Sequence, residues 1–391
     1  MHIALDAVTL SEWVPAALPR EVKLRYYEVG KRLREYLIPT YIVEGDDIEI
    51  LRNIFDRTSS TGKALKRDEV FDALVGSQIG TTGERGFGIV HDQLRDLGFG
   101  SIDRLAILKT FEAIRGEKIG KLDPRGQDLK AAEKDLLGTA SALRKTVVFL
   151  QSIGVPHAKA LPYELPLMVL ARLFHLYASP DEKSLVLVKR WFWRGAVAGR
   201  HSGASGSLQQ HVDDVQPDDE HGSVKRLLDR TGEARKPDLG IIARDEFSIA
   251  SARGKVILCA LFSHAPRNLS TGDKIVSDDL FGDGTHEVML RIVQPRESDL
   301  GSTIGNRLLH PSIDVAPSRL VRECNDEGAL ASHAIDRSSQ RALRQGDVDT
   351  FLKRRADALA EWVLHFVDTR AEWARPDTPS VKALAQRKKA S

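Results

Sequence analysis

Aromatic rings and cations are interleaved between Lys189 and His201, a segment that reads Lys-Arg-Trp-Phe-Trp-Arg-Gly-Ala-Val-Ala-Gly-Arg-His. Rings stack on nucleobases, and guanidinium groups neutralise phosphates. On a helix, Arg190 and Arg194 share one face because they are four residues apart. The pattern therefore predicts a nucleic-acid-binding segment. Its contacting residues would be Arg190, Arg194, Arg200 and His201.

The same segment has a second interpretation, in which it belongs to the protein core. Trp191 and Phe192 would then be buried, and the arginines would form a solvated rim around them. Residues 199–223, which follow, are rich in glycine, serine and acidic side chains and predict a flexible loop. If the arginines bind phosphate, this loop would close over the bound group.

Helical periodicity surrounds this segment and indicates a mainly α protein of the α+β class. Apolar residues recur at the spacing i, i+3, i+4 along several stretches of the chain. The predicted helices cover residues 20–37, 101–115, 129–150, 162–177, 182–197 and 348–373. Those between residues 86 and 198 predict a helical module built by antiparallel packing.

Smaller elements are predicted around these helices. Ser101 and Asp347 are the expected N-caps of the helices that follow them. Residues 286–293 alternate well enough to predict a strand. The apolar run 256–262 fits a buried strand or a buried helix, and periodicity cannot decide between them.

Composition does not identify a binding partner, so any affinity for nucleic acid would come from local features of the surface. The 391 residues include 57 basic and 55 acidic side chains, so the net charge of +2 gives no general attraction to nucleic acid. The two cysteines lack the spacing of a metal site, and Cys259 is expected in the core. No secretory signal and no membrane-spanning apolar stretch occur in the sequence, which predicts a cytoplasmic protein without a membrane partner.

A polar turn lies between two apolar helical patterns in residues 54–74. Gly62 supplies a residue that accepts positive φ at this turn. Phe55 ends the first pattern, and Glu69 starts the second, at a position from which it could pair with Arg57. These residues predict a helix, a glycine turn and a second helix.

This segment resembles the signature of the N-terminal domain of GmrSD-type restriction endonucleases, a ParB-like family of bacterial defence systems. The matching residues are Ile54, Phe55, Arg57, Ser60, Gly62, Leu65, Glu69, Ala73 and Leu74. Ser59 stands where the family has asparagine, and the Asp-Gly-Gln-Gln-Arg motif that opens the family's domain is missing from the sequence. The resemblance therefore implies a partial domain in residues 1–85, without the element linked to nucleotide hydrolysis.

A second resemblance concerns residues 301–309, which are similar to the Ile-Gly-Asn core of the HNH-type nuclease domain that often ends these proteins. It implies that Asn306 orients a catalytic loop beside a divalent metal, Mg²⁺ or Mn²⁺. Arg291 stands in place of the family's water-activating histidine, and an arginine cannot accept that proton. His310 and His333 remain as candidate catalytic residues.

A degenerate domain without a metal site fits the same residues. Asn306 would then be a turn residue or a cap of local backbone, and His333 would be a structural histidine. No set of metal ligands can be assigned from the sequence. This degenerate HNH-like domain is expected to cover residues 224–375, followed by a disordered tail in residues 376–391.

Together these features predict a DNA-interacting component of a bacterial restriction or phage-defence system that is not a complete enzyme by itself. By resemblance, the intact family senses modified DNA and cleaves it. One alternative is a non-catalytic scaffold whose partner is a protein or the missing N-terminal segment. The other is a metal-dependent DNA endonuclease of the HNH type.

Overall fold

The computed structural model describes most of the chain from residue 65 onward. The described residues are 14–15, 17–35, 50, 65–76, 86–203, 205–232, 236–281, 288–311 and 314–377. The chain divides into two compact units, Met1–Ala64 and Leu65–Ser391. The described residues are mainly helical and contain one small two-stranded sheet, which confirms the predicted mainly α class.

The first unit contains helix α1, Arg20–Glu35, which confirms the helix predicted for residues 20–37. Arg32 Nη2 donates a hydrogen bond to Glu28 Oε1 at 2.7 Å, one turn earlier. Such exposed pairs contribute only a few tenths of a kcal/mol. The sequence pattern of this helix is amphipathic, yet its apolar side chains Leu24, Val29 and Leu33 are exposed.

The second unit contains fifteen helices and one hairpin among its described residues. The helices before the hairpin are α2 Arg67–Gly76, α3 Gly88–Leu94, α4 Arg104–Arg115, α5 Leu129–Ser152, α6 Leu165–Leu176, α7 Glu182–Val197, α8 Ser205–Asp213, α9 Glu220–Asp229, α10 Leu239–Arg244, α11 Ala252–Phe262 and α12 Ser277–Phe281. The hairpin pairs β1, Met289–Arg291, with β2, Arg307–Leu309, in antiparallel register. The helices after it are α13 Pro317–Glu323, α14 Glu327–Ala331, α15 Arg337–Arg344 and α16 Val348–Ala371.

Helices α2 to α6 pack around a shared apolar core. Helix α5 contacts α3 and α6, and α4 contacts α2 and α6. The ring of Phe71 on α2 stacks on Phe87 with 5.5 Å between centroids and meets Phe111 edge-on at 4.9 Å. These three buried rings join α2 to the rest of the core, since aromatic pairs add to the stabilisation that comes from burial.

Aspartate side chains begin the helices that the periodicity predicts. Asp347 caps α16 as expected, since its carboxylate accepts a hydrogen bond from Thr350 N–H at 3.1 Å. The predicted cap of α4 is wrong: Asp103, and not Ser101, accepts from Leu105 N–H at 2.9 Å. Carboxylates rank with serine as caps, so the periodicity locates a helix start only to within a few residues.

The flexible loop predicted for residues 199–223 is replaced by helix α8 and the beginning of α9. Asp219 caps α9 by accepting a hydrogen bond from Gly222 N–H at 3.1 Å. Asp214 forms an ion pair with Arg230. The acidic residues that suggested a solvated loop therefore serve as a helix cap and an ion-pair partner.

Helix α16 connects the helical core to the hairpin, because it contacts α7, α10, α11 and α15. Arg355 lies on the buried side of this helix. Its side chain is 1% exposed, and it donates to His333 O at 2.9 Å and to Gly305 O at 2.6 Å. The guanidinium thereby joins α16 to the turn before β2 and to the turn before α15.

The remaining small elements divide between helix and strand. The apolar run 256–262 forms part of α11, and Cys259 is buried there as expected. The strand predicted within residues 286–293 is confirmed for β1, residues 289–291. Residues 282–287, which include His286, lie outside the described part of the chain.

Candidate nucleic-acid interface

Arg190 and Arg194 of α7 are buried, with 6% and 8% of their surface exposed. Arg190 Nη2 lies 2.6 Å from Glu372 Oε2, and Arg194 Nη1 lies 2.6 Å from Asp377 Oδ2. Glu372 follows directly after α16, where its φ is +46°. These two arginines therefore bind carboxylates beyond the end of α16.

Arg194 also caps the C-terminus of α16. Its Nε donates to Ala371 O at 2.8 Å, and its Nη2 donates to Glu372 O at 3.0 Å. The last carbonyl groups of a helix have no partner within the helix, so a guanidinium is a favourable cap for them. The prediction of a solvated arginine rim is wrong, because both side chains are enclosed by the chain itself.

The four residues predicted to contact nucleic acid do not form one surface. Arg200 is exposed, whereas His201 is 3% exposed and lies in the core. Trp191 and Phe192 are also buried, as the second interpretation expected. Of the four, only Arg200 presents its side chain to solvent.

Asn306 ends a 3-10 turn, Ile304–Asn306, directly before β2, and it has no exposed surface. Its Nδ2 donates to Val293 O at 2.9 Å and to Gly301 O at 2.8 Å. Its Oδ1 accepts from Val293 N–H at 2.9 Å. Because the whole amide is satisfied by backbone groups, this geometry matches the expectation that Asn306 caps local backbone.

His310 and His333 lie close together, with 6.4 Å between ring centroids. His310 Nε2 accepts from Leu269 N–H at 3.1 Å, which leaves Nδ1 as the donor to Pro311 O at 2.9 Å. His333 Nε2 donates to Arg267 O at 2.7 Å, and burial lowers its pKa to about 3. Both rings are thus held by backbone groups in neutral form.

No group of three or more metal-binding side chains occurs among the described residues. Arg291, which replaces the expected water-activating histidine, is exposed on β1. The described part of the hairpin region therefore brings Asn306, His310 and His333 into the core without assembling a metal site. Their assignment as catalytic residues stays a prediction.

Of the family-signature residues, Leu65, Glu69, Ala73 and Leu74 lie in the described part of the chain, whereas Phe55, Arg57 and Gly62 do not. Glu69 Oε2 accepts a hydrogen bond from Lys66 N–H at 2.7 Å. This contact satisfies a backbone donor at the start of α2, as in one half of a capping box. The second helix of the predicted helix–turn–helix pattern is confirmed as α2.

Helix α15 carries a basic face that the sequence analysis did not single out. Arg337, Arg341 and Arg344 are exposed and follow the spacing i, i+4, i+7, so they form one stripe. The opposite face is buried and consists of Ser339, Gln340, Ala342 and Leu343. The three arginines will be called the basic stripe.

The basic stripe stands on a helix that is held firmly against α13. Gln340 Nε2 donates to Val321 O at 2.8 Å and to Cys324 O at 2.7 Å, which caps the C-terminus of α13. Arg344 Nε donates to Arg322 O at 2.7 Å at the same helix end. These contacts orient the exposed face of α15 through two side chains that are four residues apart.

Helix α14 precedes α15, and residues 332–336 form the turn between them. Asp336 caps α15 by accepting from Ser339 N–H at 2.6 Å, and this hydrogen bond lowers the pKa of its carboxyl group. Arg337 pairs with Glu327 across the turn. A helix, a short turn and a second helix that carries exposed arginines form a layout that suits a DNA groove. The arginine spacing was visible in the sequence, but its exposure was not.

Comparison with known proteins adds no family assignment to these features. No protein-family model and no curated protein matches the chain. Within the described residues, none of the helices has the length and apolar character needed to cross a membrane.

Proposed function

We propose that this protein is a DNA-interacting component of a bacterial restriction or phage-defence system, and that it is not a complete enzyme by itself. The observation that carries the DNA-binding part of the proposal is the basic stripe of α15. The defence context rests on the resemblance of residues 54–74 to the GmrSD-type signature.

The dimensions of the basic stripe suit a DNA groove. Arg337 and Arg344 are seven residues apart, which corresponds to about 10 Å along a helix. The major groove is about 12 Å wide and admits one helix, and arginines at its edges reach phosphates. Arg341, in the middle of the stripe, forms no ion pair among the described residues, so its charge is available to a partner.

Binding through these arginines releases counterions from DNA, so affinity should fall steeply as salt rises. Fluorescence anisotropy with a labelled duplex, plain or carrying modified cytosine, measures this at about 50 mM and about 200 mM salt. We expect at least a tenfold loss of affinity for either duplex across that range, because each phosphate contact lowers log K by about 0.9 per tenfold rise in salt. No binding of either duplex at the lower salt concentration overturns the proposal.

The nuclease alternative requires a divalent metal, Mg²⁺ or Mn²⁺, near Asn306. The buried amide of Asn306 and the backbone-bound rings of His310 and His333 favour a structural role for this region. Plasmid nicking with each metal tests the alternative directly. Metal-dependent nicking that disappears in Asn306→Gln, in protein shown to be folded, would establish a nuclease and overturn the non-enzymatic part of the proposal.

A non-catalytic scaffold is the second candidate, and it is favoured by helix α1. This helix exposes large apolar side chains, among them Leu24 and Val29 at 57% and Leu33 at 48%. Apolar surface of this kind is typical of a contact with a partner protein. Light scattering tests it: a concentration-dependent dimer that becomes a monomer in Leu24→Lys supports the scaffold, and a monomer that binds no apolar dye argues against it.

A further inference from the structure

A cleft of about 420 Å³ opens where four helices meet, and its volume falls in the range of small-molecule sites. Helices α7, α10 and α11 each pack against α16, and all four contribute to the wall of the cleft. Apart from one tyrosine and two charged side chains, the described residues of this wall are apolar or glycine. The cleft will be called the apolar cleft.

The inner wall of the apolar cleft consists of aliphatic side chains that are buried. Val363 and Val367 lie one turn apart on α16, so they share a face, and they are 2% and 1% exposed. Val256 and Ile257 of α11 and Ile242 of α10 belong to the same wall and are also buried. Branched aliphatic chains offer water no hydrogen bond, so an apolar group displaces water from this wall favourably.

Ile241 lies at the mouth of the apolar cleft. Its side chain is 50% exposed, although it is large and apolar, and it lines the cleft beside the buried Ile242. An exposed isoleucine next to a buried aliphatic wall is surface that a ligand can remove from water. The mouth therefore extends the apolar contact that the inner wall offers.

The two charged side chains of the described wall already have partners. Arg253 forms an ion pair with Asp245, which follows directly after α10. Asp238 caps α10, since its Oδ1 accepts a hydrogen bond from Gly240 N–H at 2.8 Å. Because one charge is positive, the other is negative and both are bound elsewhere, an ionic ligand would lose its hydration without gaining a counterion. The wall therefore favours a neutral molecule.

Tyr163 supplies the hydrogen-bonding group of the apolar cleft. Its phenol oxygen lies 3.7 Å from the point where a Cβ on Gly199 would stand, and Gly199 is itself a wall residue. The hydroxyl forms no hydrogen bond within the described part of the chain, and the side chain is half-buried. Burial raises the pKa of Tyr163, so the hydroxyl stays protonated and can donate. One polar group of a ligand can therefore bond to this oxygen while its apolar part occupies the cleft.

We propose that the apolar cleft binds a neutral aliphatic molecule that carries one hydroxyl or carbonyl group. The aliphatic part packs against Val363, Val367 and Ile257, and the polar group bonds to the hydroxyl of Tyr163. The apolar cleft shares no residue with the basic stripe, so this binding does not depend on the proposed DNA contact. No covalent step is involved.

Isothermal titration calorimetry with the full chain tests the class of ligand. Octanol is the neutral probe, and octanoate and octyltrimethylammonium carry the same chain with a negative or a positive group. We expect octanol to bind about tenfold more tightly than either ion, because the wall offers no free counterion. Hexanol should bind about fifteenfold more weakly than octanol, since each methylene group contributes about fourfold. No binding of octanol overturns the site, and equal or tighter binding of an ion overturns the neutral ligand.

Variants locate the binding within the apolar cleft. Tyr163→Phe removes only the hydroxyl group, so it should weaken octanol binding about fivefold. Ile241→Asp places a charge at the mouth and should weaken it about tenfold. Leu137→Asp changes a leucine of α5 that is 48% exposed and lies outside the described wall, so it is the control and should leave affinity unchanged.

The variants and the ligand series separate the parts of this assignment. Unchanged affinity in Ile241→Asp, or an equal loss in Leu137→Asp, overturns the location of the site. Unchanged affinity in Tyr163→Phe overturns the hydroxyl contact. Circular dichroism establishes that each variant is folded. The comparison of ligands uses the unaltered chain, so it decides the class of ligand even if a variant fails to fold.

Discussion

The side-chain amide of Asn306 forms two hydrogen bonds with the backbone of Val293, one from Val293 N–H to Oδ1 and one from Nδ2 to Val293 O, both of 2.9 Å. This reciprocal pair copies the bonding between facing residues of an antiparallel ladder. It extends the hairpin beyond the pair Arg291 and Arg307, where β1 ends and β2 begins. An asparagine that resembles a nuclease residue in sequence thus acts as a cross-link in the hairpin.

Replacing this cross-link should destabilise the protein. Asn306→Ala leaves three buried backbone groups without their partner, so we expect the free energy of unfolding to fall by about 2–4 kcal/mol. Urea denaturation followed by circular dichroism measures the change. Asn325→Ala, which alters an exposed asparagine of the same region, is the control and should have little effect. Equal midpoints for the two variants would show that the amide bonds do not stabilise the hairpin.

Arg194 should not tolerate lysine, although the charge is kept. The guanidinium reaches Ala371 O, Glu372 O and Asp377 together, which an ammonium group cannot do with one nitrogen. We expect Arg194→Lys to lower the free energy of unfolding by about 2 kcal/mol. Thermal denaturation measures the loss, and Arg200→Lys, which changes an exposed arginine, is the control. Matching melting temperatures would mean that the cap on α16 is not required.

The basic stripe should contribute to DNA binding but not to the stability of the fold. Arg341→Ala removes an exposed charge, so we expect normal stability with a duplex affinity reduced about tenfold and a salt slope reduced by about 1. Anisotropy titrations over several salt concentrations give both quantities. Arg244→Ala on α10 is the matched control for an exposed arginine outside the stripe. An unchanged slope in Arg341→Ala would exclude a phosphate contact at this position.

Acid should destabilise the protein through its buried neutral histidines. The pKa of His333 falls from 6.5 to about 3 in the folded protein, because burial penalises the charged ring. The stabilisation is therefore complete above the unfolded value of 6.5 and is lost as pH falls from there towards about 3. Each such histidine contributes a slope of about 1.4 kcal/mol per pH unit in this window.

Urea denaturation at about pH 7 and about pH 5 measures this loss, which should be about 2 kcal/mol for His333 alone. His333→Gln should show a smaller difference between the two pH values, whatever its stability at neutral pH. His365→Gln, on an exposed histidine of α16, should keep the full difference. A wild-type protein with equal stability at both pH values would contradict the neutral, buried state of His333.

The sequence alone located most of the long helices and several of their ends. The ranges of α5, α7 and α16 follow from apolar spacing, and Asp347 follows from the preference of carboxylates for helix starts. These signals are local, since residues three or four apart on a helix meet whatever surrounds them. The basic stripe of α15 shows the same local spacing in the sequence. The structure adds which face of this helix is exposed and which is buried.

Only the tertiary structure decided the partners of the polar side chains. From the sequence, Arg190 and Arg194 are predicted to bind phosphate or to form a solvated rim. In the structure they bind the carboxylates of Glu372 and Asp377, which are far along the chain. From the sequence, His201 is predicted to lie in a loop. In the structure its ring packs against Trp191 and bonds the backbone of Phe192, both on α7. A polar group binds whichever partner the fold brings within about 3 Å, and separation in sequence does not encode that distance.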